Sequence, residues 1–77
     1  MTLGEYLNHL EDKIGLKKLY TSGILEPKYI EMRDFYNYFN ALEEKKGTIE
    51  AKKECMKAFK YNKMKVSRFL RQLNNTI

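Results

Sequence analysis

Between Lys60 and Arg71 the chain carries the cations Lys60, Lys63, Lys65, Arg68 and Arg71 and not one carboxylate. Apolar residues at helical spacing run through the same stretch, so the cations are expected on one side of a helix. The chemistry this allows is the attraction of a polyanion, and nucleic acid is the usual partner of such a surface. The surrounding charge agrees. From Met1 to Glu44 there are five Lys/Arg against eight Asp/Glu, a net of −3, whereas from Lys45 to Ile77 there are ten against only Glu50 and Glu54, a net of +8. Scattered lysines ordinarily keep a small protein solvated, and Lys52 and Lys53 beside Glu50 and Glu54 fit that description. The acid-free stretch fits it less well.

Other reactive residue types are sparse. His9 is the only histidine and lies beside an apolar stripe, with no serine, cysteine or carboxylate pair at a spacing that implies catalysis; it reads as a surface or boundary residue. Cys55 is the only cysteine, which excludes an internal disulfide, and its place on the apolar side of a helix makes it a small core residue. No Cys/His cluster has zinc-ligand spacing, and neither a phosphate loop nor a dinucleotide fingerprint occurs. The expectation is a protein that is not an enzyme and needs no cofactor or metal. A single free thiol, with no basic leader or long apolar run between Met1 and Ile14, leads us to expect a cytoplasmic protein.

The elements that must position these residues follow from length and periodicity. A chain of 77 residues has room for one domain and buries roughly 60–65% of the surface its unfolded form exposes. With 43% apolar and 13% aromatic residues it is too rich for a disordered tail. Thr2 and Glu5 have capping-box spacing, and Leu3, Tyr6, Leu7, Leu10 and Ile14 form a stripe behind them, closed by Gly15. Leu16 to Glu26 reads as a connection with at most a short turn of helix. Pro27 opens a second helix running to Lys46 and stopped by Gly47, with Tyr29, Met32, Tyr36 and Phe39, joined by Phe35 and Leu42, on a broad aromatic face. These aromatics read as core and not as a base-stacking platform, because Glu31, Asp34, Glu43 and Glu44 accompany them. Tyr38, outside the stripe, suits a partner surface.

Thr48 is expected to cap a third helix from Ile49 to Phe59, with Ile49, Cys55, Met56 and Phe59 apolar. Lys60 to Asn62 is a tight turn, and Asn62 caps a fourth helix whose Val66, Phe69, Leu70 and Leu73 follow i, i+3, i+4, i+7. The fold expected is all-α: a single four-helix domain in which residues 1–47 form a helical scaffold and residues 48–77 a helix-turn-helix. Lys63, Met64, Lys65, Ser67, Arg68 and Arg71 are then left pointing outward.

The segment from Cys55 to Leu73, CMKAFKYNKMKVSRFLRQL, resembles the helix-turn-helix of small bacterial and phage regulators and of the resolvase and homeodomain-like group. Val66-Ser67-Arg68-Phe69-Leu70 matches the end of that pattern, and Asn62 stands where its capping Ser or Thr would be. Two positions depart from it. Met56 replaces a small alanine and would widen the helix crossing, and Lys60 replaces the glycine of the turn, so it must accept a positive φ at about 1 kcal/mol or the turn must differ.

The resemblance implies that the second helix of the pair enters the major groove of double-stranded DNA. Lys63, Lys65, Ser67 and Arg68 would reach base edges, with Arg68 paired to guanine, while Lys53, Lys57, Lys60 and Arg71, with Lys45, Lys46 and Lys52, would lie on phosphates. It further implies a transcriptional regulator or accessory factor, working as a twofold dimer through Tyr29, Tyr36, Tyr38 or the first helix. The competing expectation is a phage or mobile-element interaction protein, an inhibitor that presses its basic helical end on another macromolecule.

Overall fold

Thr2 begins the first helix as its spacing requires. Its hydroxyl accepts from the Glu5 amide at 3.3 Å while the Glu5 carboxylate accepts from the Thr2 amide at 2.8 Å, and this bond holds the Glu5 carboxyl below its usual range. The computed structural model describes all 77 residues, and the chain forms five helices: α1 Leu3–Lys13, α2 Leu16–Thr21, α3 Pro27–Lys46, α4 Thr48–Phe59 and α5 Lys63–Leu73. The all-α fold is as expected; the number of helices is one more than expected. The added helix, α2, starts because the Glu11 carboxylate accepts from the Leu16 amide at 3.1 Å, and it exists to bury Leu16 completely. Gly15 takes φ 96°, which lets the chain turn between α1 and α2.

α3 is the spine. Its 20 residues span about 30 Å, which sets the longest dimension of the molecule at 36 Å. Met32, Phe35 and Phe39 on α3 are buried, with Tyr29, Tyr36 and Leu42 half-buried beside them. Phe35 is the centre of the whole core. Its ring lies 5.7–6.1 Å from the rings of Phe39, Phe59, Tyr61 and Phe69, contributed by α3, the end of α4, the turn and α5. Because one aromatic cluster joins all these elements, residues 48–77 share their core with the spine and do not form a separate layer.

α3 and α4 form an antiparallel hairpin about Gly47, as the pairing of Phe35 with Phe59 at one end and of Lys46 with Glu54 nearer the turn requires. Thr48 does not cap α4. It is the first helical residue, Gly47 stands in the capping place at φ 88°, and the Thr48 hydroxyl is instead donated to Glu43 at 2.7 Å, clasping the two helices across their turn. A second departure is Ile49, which was expected in the core and is 71% exposed; Ala51 and Cys55, one turn apart, take the buried side. Tyr6 and Ile14 of the α1 stripe also reach the surface, leaving Leu7 as its buried centre.

α1 lies against α3 at Gly4, where a Cβ would stand 2.3–2.6 Å from three carbons of the Tyr36 ring. Asn8 and Asn37 exchange side-chain amide hydrogen bonds at 3.0 and 3.1 Å alongside, with Arg33 donating to Asn8 at 3.2 Å. Alanine at Gly4 is therefore expected to destabilise the fold by about 1–3 kcal/mol through overpacking, lowering Tm by at least about 4 °C in a thermal melt followed by circular dichroism. The start of α1 is also tied by backbone to the residues that follow α5: the Leu3 amide donates to Asn75 at 2.9 Å and the Ile77 amide to Met1 at 3.0 Å. No helix is long and apolar enough to cross a membrane.

Candidate nucleic-acid interface

The turn between α4 and α5 is built by three residues with three different tasks. Lys60 ends α4 in the left-handed conformation, φ 58° and ψ 37°, and is the only non-glycine residue at positive φ. Tyr61 is then buried among Phe35, Phe59 and Phe69, and Asn62 accepts from the Lys65 amide at 2.8 Å, capping α5. Of the two outcomes open to Lys60, the chain has taken the strained one. Lys60→Gly is expected to stabilise the protein by about 1 kcal/mol by removing the left-handed penalty, read as a higher urea midpoint with unchanged slope.

Once the turn is set, the amphipathic pattern of α5 decides which groups meet solvent. Val66, Phe69 and Leu73 are buried and Leu70 half-buried, so the opposite side presents Lys63, Met64, Ser67, Arg68 and Arg71, all exposed. The five surround a basin of about 380 Å³. Lys63 and Ser67 also border a cleft of about 470 Å³ between α4 and α5, whose other walls are Ile49, Lys52, Lys53, Met56 and Val66. Met56 thus sits half-buried where the two helices part.

Lys65 is the exception to the outward placement expected for it. Its ammonium lies 3.7 Å from the Glu31 carboxylate and over the rings of Tyr61 at 4.2 Å and Phe69 at 5.4 Å, so it folds back on α3. Glu31 also accepts the Tyr61 hydroxyl, and burial together with that bond raises the Tyr61 phenol above its usual range. The acid-free stretch of sequence therefore has an acid beside it in space, supplied by a residue about thirty positions away.

The remaining ion pairs divide the cations further. Lys53 is paired with Glu50 at 3.7 Å and Lys46 with Glu54 at 4.0 Å, whereas Lys57, Lys60, Lys63, Arg68 and Arg71 take part in no ion pair. Exposed pairs of this kind are weak, so Lys53 remains recruitable. The structure brings Lys63, Ser67, Arg68 and Arg71 into one surface. Cys55 is fully buried, and its thiol is pushed up to about 11, first by burial and then by Glu54, which keeps it protonated and unreactive at neutral pH. Of the tyrosines considered for a dimer surface, Tyr36 is occupied against Gly4, and Tyr38 is 39% exposed with one edge on Phe59.

Met64 belongs to this surface and Glu31 holds Lys65 back from it, and neither stood out as a binding residue. Nothing local marks Glu31, since its partners lie in the turn and on α5. Met64 was legible as an outward position, but not as an apolar side chain ringed by cations. Comparison with family models, with curated proteins and with solved structures gives no match.

Proposed function

We propose that this chain is a DNA-binding helix-turn-helix protein, a transcriptional regulator or accessory factor that lays α5 in the major groove of duplex DNA. The observation that supports it most is the row Lys63, Arg68 and Arg71, three exposed cations without a carboxylate partner on one side of a short capped helix. The left-handed Lys60 and the buried Tyr61 supply the three-residue turn such a unit needs. Arg68 pairs with a guanine, Lys63 and Ser67 meet neighbouring base edges, and Lys57, Lys60 and Arg71 hold phosphates. One such unit makes few contacts, so a twofold dimer reads two half-sites, with Tyr38 and the exposed Tyr6 and Ile14 of α1 as its contact surface.

The test is fluorescence anisotropy with random duplex DNA across a salt series. With Lys57, Lys60, Lys63, Arg68 and Arg71 engaged, the slope of log K against log salt is expected near −4 to −5, a loss of about five-hundredfold between 50 and 200 mM salt. No binding at low salt, or binding indifferent to salt, refutes the reading. That result would favour the second one, an interaction protein of a phage or mobile element, for which the exposed Ile49 beside the apolar Met56 and Val66 of the α4–α5 cleft speaks.

A further inference from the structure

Met64 is 73% exposed, more so than every other large apolar residue except Ile24. It contributes nothing to the core, and it stands in the first turn of α5 with Ser67 three, Arg68 four and Arg71 seven residues further on, one continuous stripe of the helix. All four line the same basin. The stripe therefore reads apolar, hydroxyl, guanidinium, guanidinium along the side opposite Val66, Phe69 and Leu73. Asn62 fixes the start of the helix, so the register of this stripe is fixed as well.

Base edges in the major groove offer one apolar feature, the 5-methyl group of thymine, and guanine offers the two acceptors that suit an arginine fork. We propose that Met64 is a specificity residue that packs on a thymine methyl while Arg68 pairs with a guanine close by; the inference rests on the duplex-DNA reading of α5. Four helical residues rise about 6 Å, close to two base-pair steps of about 3.4 Å each. The half-site is therefore one in which thymine and guanine lie within about two base pairs of one another. A flexible, unbranched thioether tolerates the small offsets between a helix and the groove floor better than a branched side chain would.

The experiment has two stages. Duplexes bound by the full chain are selected from a random library, and the enriched thymines are then replaced one at a time by uracil, which removes the methyl group and leaves the base pair intact. One replacement near the enriched guanine is expected to weaken binding by about threefold to tenfold, the worth of a buried methyl contact. Met64→Ala should bind the unaltered site as weakly as the wild type binds the uracil site, and lose nothing further when uracil is introduced. Since Met64 is exposed, its variant is expected to melt with the wild type, which the same sample checks by circular dichroism. Enrichment without a thymine near guanine overturns the proposal, as do uracil duplexes bound equally well or a Met64→Ala protein still sensitive to the methyl group. Failure to bind any duplex overturns the DNA reading itself, a result distinct from these.

Discussion

Phe35→Ala will cost about 3–5 kcal/mol, the range for removing a fully buried phenylalanine, and will move the urea midpoint well below that of the wild type. Phe35 has no exposed surface and its ring contacts four others drawn from α3, α4, the turn and α5. At about 0.05–0.15 kcal/mol per residue, a chain this short holds roughly 4–12 kcal/mol in total. The loss is thus at least a quarter of the whole stability and comes close to all of it at the lower end. It cannot be relieved by local collapse, because filling the void would require three elements to move together. Equilibrium urea unfolding followed at 222 nm reads the effect. A cost below about 1 kcal/mol would mean that the aromatic cluster is not the keystone described, and Phe35→Leu, which keeps most of the volume, should lie between the variant and the wild type.

The second large effect concerns the outward side of α5. Replacing Lys63, Arg68 and Arg71 together by alanine is expected to lower affinity for any duplex about a thousandfold near 50 mM salt and to flatten the salt slope by roughly 2.7, about 0.9 for each cation removed. None of the three side chains takes part in an ion pair, so stability should change little. Single changes then separate the roles. Arg68→Ala should lose about 1–3 kcal/mol of discrimination at one base pair, whereas Lys60→Ala should weaken all sequences alike. An equal loss of specific and random binding from Arg68→Ala would remove its base-reading role. An unchanged slope in the triple variant would remove α5 from the interface altogether.

Lys65 offers a contrast within the same helix. It has the residue type and the turn of helix expected of a groove contact, yet Glu31 and the faces of Tyr61 and Phe69 hold its ammonium against α3. Spacing along a helix says on which side a residue begins. It does not say where a four-carbon stem will lead when a carboxylate from another helix stands within reach.

The sequence by itself determined the helices and most of their ends, since caps and breakers act within a few residues: the Thr2–Glu5 box, Pro27, Gly47, Asn62, and the i, i+3, i+4 pattern that buries Val66 and Phe69. It also located the positive charge, which is a property of composition. At Lys60 the missing glycine left two outcomes open, a positive φ or a different turn, and the structure takes the first. Tertiary structure decided what depends on contact between distant segments. Leu16 is wholly buried in the common core and α2 forms around it; Ile49 lost its core place to Ala51 because a small residue lets α4 lie close along the spine; Gly4 was fixed by the ring of Tyr36. The surface proposed to meet DNA is likewise a joint product. The sequence supplied its cations, and the aromatic cluster around Phe35, by fixing how α5 sits on α3, decided that Lys63, Ser67, Arg68 and Arg71 face outward together while Lys65 turns back.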